Sequence, residues 1–319
     1  MNGPRIAVVI PCFRVSRHIL DVLARIGPDV ERIYVVDDAC PEGTGDLVGR
    51  ECTDRRVRVI RNERNLGVGG AVKAGYRRAL EDEMDIVVKL DGDGQMPPER
   101  VLALTKPLRL GAADYTKGNR FYSVDDLKGM PAVRVFGNAV LSFMAKLSSG
   151  YWRISDPTNG FTAIHRAALS LLPLEKVSDG YFFETDLLFR LAIARAVTRD
   201  VPMPSVYGDE RSGLRVRRVL LPFVRGHVRN FCKRILYNYF VRDFSVASLE
   251  LGTGGGLVTF SGVFGPWAWI ASAEAGRATP AGTVMLAALP AILGVQLLLS
   301  FLSADIASEP SIPLQSLHP

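Results

Sequence analysis

Short runs dominated by apolar residues recur along the first part of the chain, each closed by a polar or turn-forming residue. Ile6 to Ile10 gives way to Pro11, Ile33 to Val36 to Asp37 and Asp38, Val57 to Ile60 to Arg61 and Asn62, and Ile86 to Leu90 to Asp91. Such runs predict strands buried on both faces of a parallel sheet. The spacing between them predicts helices over 18–26, 46–51 and 70–81. Strands alternating with helices in this way build right-handed βαβ units. In sheets of that kind ligands bind beyond the carboxyl ends of the strands. Pro11, Asp37, Asp38, Asp91 and Asp93 all emerge at that edge.

Further along, the pattern predicts a helix over 99–108, a strand over 113–117 leading into Gly118-Asn119-Arg120, and a helix over 133–147. A loop at 156–161, a helix over 184–195 and an extended segment over 201–207 follow. From 216 to 240 apolar and basic residues intermingle at helical spacing, the signature of an amphipathic helix lying on a membrane surface. No acidic or basic residue occurs between Glu250 and Glu274 or between Arg277 and Asp305. Each stretch exceeds the ~20 apolar residues a bilayer-spanning helix needs. The first is glycine-rich and holds Pro266; the second, centred on 282–302, holds Pro290, and membrane helices tolerate both residue types. The expected organisation is therefore an α/β domain over 1–212, a basic juxtamembrane helix over 213–245, a two-helix transmembrane hairpin over 246–304 and a tail over 305–319. No repeat or low-complexity tract interrupts it.

A hydrophobic fraction of 48% is high for a wholly soluble protein, and the apolar C-terminal stretches account for it. The net charge of +6 is also localised. Nine Lys or Arg and no Asp or Glu lie between Arg211 and Arg242, and without those nine the remainder carries −3. A basic block abutting a membrane segment suits anionic lipid headgroups and cytoplasmic placement. Nucleic acid is the other polyanion it could meet, and its position beside the apolar stretches argues for lipid. The four cysteines, Cys12, Cys40, Cys52 and Cys232, lack metal-ligand spacing and a disulfide framework. Cys12, at a predicted strand end, is the one to watch as a reactive thiol. The N-terminus runs straight into a strand without a signal-peptide pattern.

Asp91-Gly92-Asp93 carries the most chemical information. Two carboxylates one residue apart, in a glycine-flanked turn at a strand end, can bring their oxygens to one hard divalent ion. The glycines at 67, 69 and 70 do not make a dinucleotide fingerprint, because they follow the third strand and lack the later acidic partner.

In order and spacing, Val8-Val9-Ile10-Pro11, Val35-Val36-Asp37-Asp38, Asn65-Leu66-Gly67-Val68-Gly69-Gly70-Ala71, Asp91-Gly92-Asp93-Gly94-Gln95 and Asp156-Pro157-Thr158-Asn159-Gly160-Phe161 resemble the family 2 glycosyltransferases of GT-A fold. Within that family the pattern is similar to the polyprenyl-phosphate glycosyltransferases typified by dolichyl-phosphate mannose synthase. The resemblance implies a GT-A catalytic domain and transfer of a hexose from a UDP- or GDP-sugar to a polyprenyl phosphate, with inversion. It places Pro11, Asp37, Asp38, Gly67, Gly70 and Asp91 in the nucleotide-sugar site, Asp37 and Asp38 meeting base and ribose. Asp91 and Asp93 would hold Mg²⁺ or Mn²⁺ on the diphosphate, assisted by Gln95. Arg120 and Asp156 belong with the catalytic group, Asp156 on the acceptor side. Arg134, Arg211, Ser212 and Arg215 would face the lipid phosphate. Of Glu184 and Asp186, two apart on one helix, at most one can face the cleft.

The resemblance further implies a multi-pass protein of the cytoplasmic membrane with its catalytic domain on the cytoplasmic side; a homo-oligomer is left open. Where relatives carry Pro-x-Tyr-Asn-Glu, this chain has Pro11-Cys12-Phe13-Arg14-Val15, so the base contact from that loop differs. Three alternatives stand beside this reading. A processive polysaccharide synthase would carry a QxxRW motif, and none of Gln95, Gln296 and Gln315 begins one. A transferase acting on a glycan or other non-lipid acceptor would have little use for the basic collar. A non-catalytic nucleotide-sugar scaffold would not need Asp91, Asp93 and Asp156.

Overall fold

The computed structural model describes residues 3–122, 132–203 and 216–317, with side chains beginning at 137 and 221 in the last two segments. Strand β1 (Ile6–Cys12), helix α1 (Ile19–Ala24), β2 (Val30–Asp37), α2 (Thr44–Glu51), β3 (Val57–Arg61), α3 (Gly67–Glu81) and β4 (Ile86–Lys89) follow in βαβ succession. Then come α4 (Val101–Arg109), β5 (Tyr115–Asn119), α5 (Ala132–Ser149), β6 (Thr162–His165), α6 (Arg166–Leu169), α7 (Phe183–Ile193) and β7 (Thr198–Pro202). The seven strands form one sheet in the order β3-β2-β1-β4-β6-β5-β7. All pairings are parallel except the two made by β6, which runs antiparallel to both β4 and β5. This is the GT-A-like α/β arrangement, a mixed sheet with a parallel half.

Alternate side chains of each strand supply the two cores. Val9, Tyr34, Val36 and Val87 pack with Tyr76 of α3 and with Phe183 and Leu187 of α7 on one face. Val8, Ile10, Val35 and Val88 pack with Val22 and Leu23 of α1 and with Leu104 and Leu108 of α4 on the other. Burial on both faces explains why these strands read as continuous apolar runs. The order of strands reverses between β1 and β4, the place where open α/β sheets form a crevice at their carboxyl edge.

The chain folds as two units, Met1–Cys232 with Pro310–Pro319, and Lys233–Glu309. In the first, helix α8 (Val216–Leu236) begins against the α/β body. Gly226 lets the helix approach Phe182, whose ring a Cβ at 226 would meet at 2.7 Å. Asn230 Nδ2 donates to Asp186 Oδ1 at 3.0 Å, and Ser148 Oγ lies 2.9 Å from His227 Nδ1. Burial pushes the His227 imidazole down to about 4, only partly opposed by a hydrogen bond to the Met144 backbone. The unfolded chain, with a histidine near ~6.5, therefore takes up this proton first, and stability falls as pH drops from about 6.5 towards 4. His227→Gln is expected to flatten that part of the wild-type profile, read as the unfolding midpoint against pH. The remaining residues of this unit, α11 (Leu314–Leu317), dock Leu314 into the core, where Asp114 accepts from the Leu314 and Gln315 amides at 2.9 and 3.2 Å.

The second unit holds a π-helical turn (Tyr237–Arg242), α9 (Val246–Glu274) and α10 (Ala281–Ala307). Among the described residues, Ala281–Ala307 is the one helix long and apolar enough to cross a membrane by length and composition. The preceding helix, with its run of glycines, is equally extended but less apolar. Gly254 and Gly294 set the closeness of the two: a Cβ on Gly254 would lie 3.0 Å from the Gly294 carbonyl oxygen, and one on Gly294 2.9 Å from that of Gly254. Small residues at such a crossing let helix backbones approach. Asp305 is fully buried and accepts from Arg234 at 2.5 Å and from Tyr239 at 2.6 Å, so neither charge of the pair is left uncompensated.

Candidate active site

At the crevice, β4 ends on Lys89 and hands the chain to Leu90 and the Asp91-Gly92-Asp93 turn. The Asp93 carboxylate accepts from the Gln95 amide at 3.0 Å, and Gly94 takes a left-handed conformation, which closes the turn. Lys89 is buried, with its ammonium 2.8 Å from Asp91 Oδ1 and 3.0 Å from Glu184 Oε1. Burial alone would depress this lysine, but the Asp91 and Glu184 carboxylates outweigh it and raise its pKa. Glu184 thus faces the crevice. Asp186 points the other way, into contacts with the Ser178 amide, Arg190 and Asn230.

The Asp156–Phe161 loop lies directly beside this turn. A Cβ on Gly160 would stand 2.7 Å from Asp91 Oδ2 and 2.4 Å from Lys89 Nζ, so any larger residue would have to displace these side-chain tips. Asn159 fastens the loop to β5: its Nδ2 donates to the Gly118 carbonyl at 2.8 Å, and its Oδ1 accepts from the Phe161 amide at 3.0 Å. Lys117, fully buried on β5, donates to the Asn159 carbonyl. Burial lowers Lys117 to about 8, against the opposing pull of Glu184 and Asp156. Lys89 and Lys117 share a register partner, Thr162 of β6, so two lysines flank one threonine below the loop.

Asp156 is completely buried and is gripped by Arg120 through a two-pronged contact, Nε to Oδ2 at 2.8 Å and Nη2 to Oδ1 at 3.1 Å. Thr158 Oγ1 adds a hydrogen bond to Oδ1 at 3.2 Å. Fork-to-fork guanidinium–carboxylate contacts fix orientation as well as charge. Arg120 is aimed there because Asn119 turns the chain at the end of β5, accepting from the Phe121 amide and donating to Asp200.

On the other side of the crevice, Pro11 lies near the end of β1, and Asp37 and Asp38 leave β2 together. Both carboxylates hold backbone. Asp37 accepts from the Cys40 and Gly45 amides at 2.7 and 2.6 Å. Asp38 accepts from Asn62 Nδ2 at 2.7 Å and from the Leu66 and Gly67 amides at 2.9 and 2.8 Å. The Gly69 and Gly70 amides donate to the Asp179 carbonyl, and a Cβ on Gly69 would fall 2.3 Å from the Ser178 oxygen. These glycines serve close backbone approach at the start of α3, and the amides a phosphate would use there are already engaged. Cys12 is fully buried, with its thiol pushed well up by desolvation, so the expectation of a reactive thiol is not met. Arg134 falls on α5 in the part without described side chains, and Arg211, Ser212 and Arg215 lie outside the described residues.

The structure therefore gathers Asp91, Asp93, Glu184, Gly160, Asp156 and Arg120 around one end of the crevice, with Asp37 and Asp38 at the other. Sequence reasoning passed over Lys89 and Lys117. For Lys89 the signal was a basic residue closing an otherwise apolar strand, whereas Lys117 stands in the mixed run Tyr115–Asn119, which carries no such signal.

A mixed α/β sheet of this order, with acidic turns at its carboxyl edge, is the class of fold whose ligands bind in the crevice there. The chain belongs to glycosyl transferase family 2, whose sequence profile matches residues 7–172. It is 30% identical to the undecaprenyl-phosphate mannosyltransferase of Micrococcus luteus, over 66% of this chain and 86% of that protein. It is 26% identical to the UDP-N-acetylglucosamine–dolichyl-phosphate N-acetylglucosaminyltransferase of Methanococcus voltae, over 70% and 94%. Its fold matches the crystal structure of glucosyl-3-phosphoglycerate synthase from Mycobacterium tuberculosis in complex with Mn²⁺, UDP and glucosyl-3-phosphoglycerate. The TM-score is 0.53 at 22% identity, covering 73% of this chain and 80% of the other.

Proposed function

We propose that this glycosyltransferase moves a hexose from a UDP- or GDP-sugar to a polyprenyl phosphate at the cytoplasmic face of a membrane, with inversion at the anomeric carbon. The observation that carries the reading is the wedging of Gly160, from the loop that holds Asp156, against Asp91. That closeness brings the loop that begins at Asp156 up to the acidic turn, which supports a transfer between a bound donor and an incoming acceptor. The two relatives named for transfer to undecaprenyl and dolichyl phosphate support the acceptor class.

Among the described residues, no group of three or more His, Cys, Asp or Glu side chains gathers for a metal. The donor set at the turn is two carboxylates in a cradle that a Cβ would fill, and it fits a hard cation that completes its shell with substrate phosphates and water. Asp91 and Asp93 would hold Mg²⁺ or Mn²⁺, as the Mn²⁺ in the structural relative suggests. Bound there, the ion would neutralise charge on the departing nucleoside diphosphate.

The rest of the chemistry falls to the chain's own groups. A phosphate monoester with a second pKa near ~6 is largely a dianion at neutral pH and attacks without a strong general base. Asp156, with both oxygens committed to Arg120 and Thr158, suits orienting a substrate rather than taking a proton. Asp37 and Asp38 would order the base-side loops, and Pro11, Gly67 and Gly70 would shape the nucleotide pocket. Arg134, Arg211, Ser212 and Arg215 would place the acceptor phosphate, a task matched by planar guanidinium forks.

Membrane attachment rests on three features. Leu221, Val224 and Val228 on α8 are exposed beside Arg225 and Arg229, a mixed surface suited to the headgroup boundary. Helix α10 has the length and apolarity of a span. The chain leaves the α/β unit at Cys232 and returns to it at Pro310. If α10 crosses, α9 must cross back, which gives a two-span hairpin.

The acceptor assignment is tested by offering the full-length protein a labelled nucleotide-sugar with a short polyprenyl phosphate, the matching polyprenol or a soluble glycan. Label should enter the lipid phase only with the phosphorylated acceptor. Transfer to the glycan, or equal transfer to the polyprenol, would remove the lipid-phosphate reading.

A further inference from the structure

We infer that Glu184 is a positioning residue for the Asp91 site: it draws the Lys89 ammonium away from Asp91 so that this carboxylate can turn to a divalent cation. The inference rests on the proposed role of Asp91 as a metal-holding group. Lys89 and Asp91 are two residues apart, and the ammonium sits between two carboxylates at nearly equal distance, 2.8 Å from Asp91 and 3.0 Å from Glu184. An ammonium and a divalent ion compete for the same carboxylate oxygens, and they repel each other when both are near.

The surroundings give Lys89 little choice of retreat. Its side chain is 2% exposed, so water cannot solvate it. Gly160 closes one side, where even a Cβ would come within 2.4 Å of Nζ. Glu184, in the first turn of α7, supplies the one other carboxylate the ammonium touches among the described residues. A buried cation stays buried only where its charge is matched. With the Glu184 carboxylate in place, Lys89 can lean onto it and free Asp91. Without that charge, Lys89 is committed to Asp91.

Opposite effects on metal affinity follow for the two partners. Glu184→Gln should weaken Mn²⁺ binding by about 10–100-fold, the range for residues that orient a metal ligand from behind. Lys89→Met should tighten it, because no ammonium then competes for the Asp91 carboxylate. Glu184→Asp, which keeps the charge, should stay closer to wild type than Glu184→Gln.

The measurement is water-proton relaxation enhancement by protein-bound Mn²⁺, on full-length protein in detergent with UDP or GDP present, together with the thermal midpoint of each variant. Binding by the wild type with weaker binding by Glu184→Gln and stronger binding by Lys89→Met supports the inference. Loss of affinity in both variants, or wild-type affinity in Glu184→Gln, overturns it while leaving Asp91 as a metal group. A wild type that enhances relaxation with neither nucleotide overturns the metal reading itself, and this inference with it. Should Lys89→Met not fold, the comparison of Glu184→Gln with Glu184→Asp decides: equal affinities overturn the inference.

Discussion

Asp93→Ala and Asp91→Ala are each expected to lower sugar transfer by ~10³-fold, the scale of several kcal/mol of lost charge stabilisation at the leaving diphosphate. The protein should still insert in membranes, because neither side chain belongs to the apolar core. Asp93 makes the cleaner test. Its carboxylate accepts from the Gln95 amide within its own turn, whereas Asp91 balances the buried Lys89. Asp91→Ala should therefore cost some thermal stability as well as activity. Initial rates with Mg²⁺ or Mn²⁺, read beside unfolding midpoints, separate the two effects. Full activity in Asp93→Ala would contradict its metal assignment.

Arg120→Met should affect both fold and function. Asp156 is wholly buried, and Arg120 is its charged partner in the salt bridge. Removing one member of a buried pair leaves an uncompensated charge and costs about 3–5 kcal/mol. The partial exposure of Arg120 and the remaining bond from Thr158 place this case at the lower end, about 3 kcal/mol. The double variant Arg120→Met with Asp156→Asn should recover much of that stability, since no charge is then stranded, without recovering transfer. Denaturant unfolding of the two variants checks the first half, and turnover checks the second. A double variant as unstable as Arg120→Met would show that packing, not charge, carries the effect.

The parallel half of the sheet could be read from the sequence because β1, β2 and β4 are covered on both faces and so consist of unbroken apolar runs. The acidic turns were equally plain, since a strand that ends on a carboxylate leaves little other reading. Strand β6 was missed. It has four residues, Thr162 to His165, between a loop and a one-turn helix, too short for a periodic pattern to register. Its antiparallel placement between β4 and β5 nevertheless seats Gly160 against Asp91 and aligns Lys89 with Lys117. The choice between Glu184 and Asp186 was likewise closed to sequence reasoning. Their separation on a helix says that they diverge, and only the packing of α7 against the crevice and against α8 says which way.

Asp37 and Asp38 illustrate a different limit. A carboxylate at a strand end reads as a ligand contact, yet here each of them accepts hydrogen bonds from backbone amides. Local backbone demand and substrate recognition call for the same residue type. The glycines at 67 and 69 repeat the lesson, since close packing against the 178–180 backbone requires them as strictly as a phosphate would.

The central claim is tested most directly by incubating the purified full-length protein with labelled UDP- and GDP-sugars and one short polyprenyl phosphate, first with chelator and then with Mg²⁺ or Mn²⁺ restored. The account predicts label in the organic phase from one of the donors, lost with chelator and regained on adding the metal. Transfer undiminished by chelator, or label that never enters the lipid, would contradict it.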